Sequence, residues 1–270
     1  MNYRHGYHAG NFADVVKHLA LITILQHLQK KDAAFGVIDS HAGRGLYDLA
    51  GEQAGKTNEA RGGIARLQGL TDGLTAALGT YLALVKESGA AHYPGSPLLA
   101  AKLLRPQDRL TAIEKHPEEF AVLKDVLSPF RNAAAEQGDG YARTPKLLPP
   151  PSRRGLILID PPFEAADEFE TLAQTLSAAL RKFATGIFLV WYPVKSQAAE
   201  AFIGEVLAGG AERVSLVDTQ ISAPSGKLDR AALLVINPPY GFEPAMFASA
   251  DIVAPLLAAD IAVRRLAGAE

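Results

Sequence analysis

The sequence predicts an α/β protein built on a doubly wound, mostly parallel sheet of seven strands, and three observations carry that prediction. Gly155-Leu156-Ile157-Leu158-Ile159 is a continuous apolar run that stops abruptly at Asp160-Pro161-Pro162-Phe163. Such a run reads as a fully buried parallel strand, and prolines cannot continue its ladder. Phe35-Gly36-Val37-Ile38-Asp39 is a second such run, and it enters the glycine turn Ser40-His41-Ala42-Gly43-Arg44-Gly45. Beyond these, short apolar runs alternate with stretches of helical spacing, the pattern of strand–helix–strand units.

Length and composition bound the rest. The 270 residues suit one large domain spanning 1–270, with enough chain to bury a sizeable core. A net charge of −2 does not advertise nucleic-acid binding, so any such binding must come from a local patch. There are no cysteines, which excludes disulfides, cysteine-ligated metal and a cysteine nucleophile. That last exclusion removes covalent attack on a pyrimidine ring. No stretch approaches the roughly 18 apolar residues of a membrane span, and the start has no signal-peptide core. The expectation is a cytoplasmic protein with no membrane and no metal.

Residues 1–31 read as a Gly- and His-rich arm and a helix. Asn11 suits the N-cap, Asp14 meets the dipole in the first turn, and Lys30-Lys31 close the last. His5, His8, His18 and His27 cluster here beside Arg4 and Lys17, without carboxylates at metal-ligand spacing. A basic arm touching phosphate is the better reading. After the first strand, Gly43 lies in a turn that lets the backbone approach a nucleotide-like ligand. Residues 46–92 are alanine- and leucine-rich and too long for a direct crossover, so they read as a helical insertion. Its Lys56, Arg61 and Arg66 are either surface charges or an RNA contact, and surface charges are the better reading. Tyr93–Pro97 is expected to be a turn, with Ser96 capping a helix that has Pro97 at its first position.

Residues 109–114 form the second strand. An acid at that place commonly holds ribose hydroxyls, which makes Glu114 a candidate. Its distance from the glycine turn exceeds the usual spacing of about 20 residues, as the insertion explains. A helix over 117–127 leads to a weak strand at 133–136 and then to Gly138-Asp139-Gly140. Asp139 there either reaches an adenine amine or sits in a plain surface turn. Helices over 168–181 and 196–207 and strands at 186–192, 213–219 and 231–236 follow, and residues 244–267 look helical.

In an open α/β sheet, ligands sit beyond the carboxyl ends of the strands, which places Asp160 and Phe163 at the mouth of a cleft. That arrangement suits methyl transfer to an exocyclic amino group. Asp160 and the carbonyl of Pro161 accept hydrogen bonds from the amine, Asp160 is placed to take its proton, and Phe163 offers a stacking face for a flipped base. The tetrapeptide resembles the Asp/Asn-Pro-Pro-aromatic motif of amino-group methyltransferases that use S-adenosylmethionine. Asn237-Pro238-Pro239-Tyr240 matches the same pattern but ends the seventh strand, too far out to share the cleft, and reads as a structural terminus.

The chain as a whole resembles the J-type bacterial 23S ribosomal RNA adenine-N6 methyltransferases. The resemblance rests on Tyr3-Arg4-His5 with His8-Ala9-Gly10-Asn11, on Ala13-Asp14-Val15 with Lys17-His18, and on His41-Ala42-Gly43. Tyr93–Pro97, residues 152–162 and Phe183-Ala184-Thr185-Gly186 also carry it. It implies a Rossmann-like methyltransferase fold with a helical insertion. It implies cofactor contacts at His18, His41, Ser96, Glu114, Asp139, Gly140 and Asp160, and substrate contacts at Tyr3 and Lys17. One departure is Phe163, where the family usually carries tyrosine; stacking survives the change and a phenolic hydroxyl does not.

The expected activity is transfer of a methyl group from S-adenosylmethionine to N6 of an adenine in 23S rRNA, by a monomer acting on protein-free or partly assembled RNA. One rival keeps the chemistry and moves it to DNA adenine or a protein amide, although no separate sequence-reading domain stands out. A second is a non-catalytic nucleotide- or RNA-binding module, against which the intact Asp160 and Glu114 weigh. A nicotinamide-dependent dehydrogenase lacks its third glycine, since Leu46–Asp48 contain none.

Overall fold

The computed structural model describes residues 5–223 and 228–268. The first half runs α1 (Phe12–Gln29), β1 (Gly36–Asp39), β2 (Leu46–Asp48), α2 (Glu52–Thr57), α3 (Ala76–Glu87), β3 (His92–Pro94), α4 (Ser96–Leu103) and β4 (Arg109–Glu114). Then come α5 (Pro117–Leu127), β5 (Ala133–Gln137), α6 (Gly140–Arg143), β6 (Gly155–Ile159), α7 (Glu168–Lys182) and β7 (Ile187–Pro193). The chain closes with α8 (Ala198–Ala208), β8 (Val214–Ile221), β9 (Arg230–Ile236), α9 (Phe242–Leu257) and β10 (Ala259–Ala267).

The main sheet has eight strands in the order β10-β8-β9-β7-β6-β1-β4-β5. From β5 to β7 all neighbours are parallel, while β9 runs antiparallel between β7 and β8. The order reverses at β1, which lies between β4 and β6. That reversal opens a crevice at the carboxyl ends of these three strands.

Strand side chains alternate between two faces and feed two separate cores. Val37, Leu110, Ala112, Leu156, Leu158 and Leu189 pack toward α1, α4, α5 and α9. Ile38, Ile113, Ile157, Ile159, Phe188 and Val190 pack toward α7 and α8. Helices therefore cover both faces, which is why the central strands are continuously apolar. Helix α1 is buried well beyond a single stripe because α3, α4 and α9 pack around it. Its buried residues include Asp14, Lys17 and His18.

Three features differ from the sequence expectation. The sheet has an eighth strand: α9 ends at Leu257, the φ of 51° at the capping residue Ala258 reverses the chain, and β10 pairs antiparallel with β8. Residues 46–92 are not wholly helical, since β2 and β3 form a two-stranded ribbon pairing Tyr47 with Tyr93. Asn237 is remote for a stronger reason than its place in the strand order. Because β9 is antiparallel to β7, its end lies on the opposite edge of the sheet from Asp160.

There Asn237 takes a left-handed φ of 53°. Its Nδ2 donates to the carbonyls of Ala184 (2.7 Å) and Gly186 (2.8 Å), tying the start of β7 to the end of β9. Asn237→Ala removes both bonds and places a Cβ residue without a local hydrogen-bonding side chain at positive φ. Chemical denaturation should show a loss of about 2–3 kcal/mol; unchanged stability would contradict the structural role.

Candidate active site

The crevice is built from strand ends. Beyond β1 the chain stays tied to both neighbours, Ser40 donating its N–H to the Leu158 carbonyl and Ala42 to that of Ile113. The turn then swings back at Gly43, φ 61°. A Cβ on Gly43 would lie 2.1 Å from the Tyr47 hydroxyl, so a side chain there would have to displace Tyr47 as well as adopt a strained φ. The Gly43 N–H donates to Glu114 Oε2 (2.8 Å), and the His116 N–H to Oε1 (2.6 Å). Burial nonetheless pushes the Glu114 carboxyl above its ordinary range.

Gly140 approaches the same turn closely, since a Cβ there would meet the Ser40 carbonyl at 1.9 Å. Asp139 just before it N-caps α6 and takes a hydrogen bond from Lys115 Nζ at 2.8 Å. His41 bonds Ser40 Oγ through Nδ1 and sits edge-on to Tyr141. Burial lowers its pKa to about 4, so the ring is neutral near pH 7.

On the other side stands Lys17, whose side chain is only 5% exposed. Its Nζ donates to Asp14 Oδ1 (2.8 Å) and to Asp160 Oδ2 (2.5 Å). Burial works against a charged lysine, but the two carboxylates outweigh it and raise Lys17 well above the ordinary range. Asp14 is likewise buried; His5 and Lys17 outweigh that burial and hold it well below the usual carboxylate range. Asp14 Oδ2 also accepts from His5 Nε2 (2.9 Å) and the Gly10 N–H (2.8 Å), so one carboxylate gathers the arm, the helix and the lysine. The next residue, His18, is buried and neutral, with a pKa lowered to about 3 by desolvation.

Of the residues singled out from sequence, Lys17, His18, His41, Gly43, Ser96, Glu114 and Asp160 line one cleft, together with Pro162. Asp139 and Gly140 adjoin it through Lys115 and Ser40 rather than lining it. Phe163 turns away at φ 51°. Its ring packs 4.8 Å from that of Phe169 and 5.9 Å from that of Trp191. Tyr3 lies outside the described residues.

Ser96 differs from expectation. Gly95 is the N-cap of α4, and Ser96 occupies the first helical position. Its hydroxyl instead donates to Asp39 Oδ2 at 2.6 Å. Asp39 is the residue that sequence reasoning missed. It is 1% exposed at the end of β1 and its Oδ1 has no protein partner among the described residues. An acid closing a buried strand was the signal that picked out Glu114 and Asp160, and it applies equally to Asp39. Asp14 and Lys17 were likewise spaced as an i,i+3 pair.

The arrangement is a glycine turn between two strand-end acids, with neutral histidines and a lysine-held carboxylate at one end. Glu114 suits ribose hydroxyls, and the backbone cradle at Gly43 and Gly140 fits a nucleoside. The buried, unpartnered Nε2 of His18 marks a further polar contact. These residues fit a cofactor of S-adenosylmethionine type.

The family model described as "Ribosomal RNA large subunit methyltransferase D, RlmJ" matches residues 32–266. Two curated relatives are each named Ribosomal RNA large subunit methyltransferase J. The Escherichia coli protein is 38% identical over 253 residues, covering 91% of this chain and 90% of its own length. The Haemophilus influenzae protein is 35% identical over 255 residues with the same coverage. A crystal structure of a Legionella pneumophila protein superposes with a TM-score of 0.90 at 30% identity, covering 97% of this chain and 99% of that one.

Asp39 gives a stability signature. Burial raises its pKa to about 7, with the Asp160 charge adding to the rise and Ser96 and Lys17 opposing it. An unfolded aspartate titrates near 3.9, so between these values the folded state holds the extra proton. Stability contributed by the neutral carboxyl is therefore full below about pH 4 and is lost as pH rises toward 7, by at most roughly 4 kcal/mol. Asp39→Asn removes this titration, so its melting temperature relative to wild type should climb between pH 5 and pH 8. A constant difference would contradict the assignment.

Proposed function

The chain belongs to the family of ribosomal RNA large subunit methyltransferases, and from that premise we propose that it methylates the exocyclic N6 of an adenine in 23S rRNA, using S-adenosylmethionine. The observation that carries this reading is the placement of Asp160. It stands one residue beyond β6, beside β1 and its glycine turn, with Lys17 holding one carboxylate oxygen and the other facing no protein partner among the described residues.

The cofactor supplies a methyl group on a positively charged sulfur, an activated carbon with a neutral leaving group. The protein's task is then to hold and aim the amine. An adenine amine is a weak nucleophile because its lone pair is conjugated with the ring. Asp160 Oδ1 and the Pro161 carbonyl accept its two hydrogens and turn the lone pair out of conjugation toward the methyl carbon. The bound cofactor would supply the methyl carbon to N6 and leave as a neutral thioether, and Asp160 would take up the proton that N6 loses. Glu114 holds the ribose hydroxyls, and Asp139 with Gly140 borders the cofactor's adenine. His18, His41 and Ser96 serve the amino-acid end.

The target base must leave its stack to reach Asp160, which costs least in a loop, a bulge or partly folded RNA. Protein-free or partly assembled 23S rRNA is therefore the proposed substrate. Phe163 is the stacking residue of this reading, its ring half-buried against Phe169 and Trp191. Tyr3, on the arm preceding α1, completes the substrate side in this reading.

Labelled methyl should pass from S-adenosylmethionine to protein-free 23S rRNA from a strain lacking this gene, be recovered as N6-methyladenosine, and fail to appear on 16S rRNA. Label appearing instead on DNA or on protein amides would overturn the substrate assignment. Asp160→Ala should lower the rate at saturating cofactor by at least about 100-fold, while cofactor affinity changes only a few fold. A variant that transfers at the wild-type rate would refute the role given to Asp160.

A further inference from the structure

Tyr81 on α3 and Tyr93 on β3 are completely buried, and their hydroxyl oxygens lie 2.8 Å apart. The Tyr93 hydroxyl also lies 2.7 Å from His18 Nδ1, and the two rings stack with centroids 5.5 Å apart. The two hydroxyls and His18 Nδ1 are closed to water, so the hydroxyl protons must be accommodated among these three atoms. Among the described residues the Tyr81 hydroxyl has one partner, the Tyr93 oxygen.

Two arrangements are conceivable. In the first, Tyr81 donates to Tyr93 and Tyr93 donates to His18 Nδ1, so both hydroxyl protons are used. In the second, His18 Nδ1 donates to Tyr93 and Tyr93 donates to Tyr81. That order strands the Tyr81 proton in an apolar core, with the full desolvation cost of an unmade hydrogen bond. The first arrangement is the stable one. With Nδ1 accepting, the hydrogen of the neutral ring sits on Nε2. That nitrogen has no protein partner among the described residues, and His18 lines the cleft.

Most other donors around the cleft are already held by acids. Lys17 is held by Asp14 and Asp160, Arg44 by Glu119, Lys115 by Asp139, the Gly43 N–H by Glu114, and the Ser96 hydroxyl by Asp39. A ligand carrying an anionic group into this acid-rich cleft needs a donor that is not so committed. S-adenosylmethionine has one such group, the carboxylate of its amino-acid end.

We propose that Tyr93, whose hydroxyl lies between Tyr81 and His18, donates to His18 Nδ1 and so fixes His18 as its Nε2–H tautomer, which then donates a hydrogen bond to the cofactor's carboxylate. Tyr93 is thus a positioning residue, acting through His18. The inference rests on the reading that the cleft takes S-adenosylmethionine.

The tautomer is read directly, without ligand, from the long-range proton–nitrogen spectrum of the full chain with isotope-labelled histidine rings, His18 being assigned by its loss in His18→Gln. The Nε2–H form is expected, and the Nδ1–H form would overturn the inference whatever the variants do. Calorimetry then compares S-adenosylmethionine with its decarboxylated analogue. The wild type should favour the carboxylate-bearing compound by about tenfold, the scale of one hydrogen bond to a charged group. Tyr93→Phe should abolish that preference without weakening the analogue. Tyr81→Phe should retain it, because Tyr93 still has only His18 to donate to. An undiminished preference in Tyr93→Phe would overturn the proposal. Failure of S-adenosylmethionine to bind the wild type would overturn the cofactor reading as well, whereas an Nδ1–H ring in a protein that binds normally would overturn this inference alone.

Discussion

A buried ammonium group between two carboxylates, Lys17 Nζ with Asp14 Oδ1 and Asp160 Oδ2, joins the helix that opens the fold to the end of β6, where we propose that the chemistry takes place. Removing charges from water costs several kcal/mol for each ion, and only close pairing returns it. The three groups are therefore acceptable only together. Because Asp14 also holds His5 and the Gly10 N–H, the N-terminal segment is oriented by the same charges that hold Asp160. A site assembled this way depends on α1 seating against β6 and β7, and the deep burial of that helix is what secures the seat.

The rest of the cleft follows the same rule of acids with committed donors. Glu114 is held by two main-chain N–H groups, Asp139 by Lys115 and a helix end, and Asp39 by the Ser96 hydroxyl. Burial outweighs that help and raises the Asp39 pKa. His18 and His41 are kept neutral by burial, so they add hydrogen-bonding capacity without adding charge. A cationic cofactor fits such a surround, because acids at its strand ends outnumber uncommitted cations.

Much of the fold was legible because the central strands of a parallel sheet are apolar on both faces. That signature marked β1 and β6, and with them the positions of Gly43 and Asp160, while Glu114 was marked as the acid that closes β4. Elements at the periphery carried weaker signals. In β10, Ile261 faces inward while Asp260 and Ala262 face out, a period of two that was masked by the alanine- and leucine-rich helix running into it. The antiparallel course of β9 was implicit in the short connection from Ile221 to Arg230, too brief for a parallel crossover, and it accounts for Asn237 better than its rank in the sheet does. The least legible contacts join residues far apart in sequence. Ser96 with Asp39, and Tyr93 with His18, have no local pattern to announce them, and Ser96 looked like an ordinary helix cap because its neighbours suit one.

The most direct test of this account is the single-turnover rate of methyl transfer to 23S rRNA by folded Lys17→Met protein at saturating S-adenosylmethionine. Methionine keeps the length and apolar stem of the lysine but leaves Asp14 and Asp160 without their shared cation. The account requires a rate at least about 100-fold below wild type, with cofactor still bound. Transfer at the wild-type rate would show that Asp160 is aimed without Lys17, and the central role given to this charge triad would be wrong.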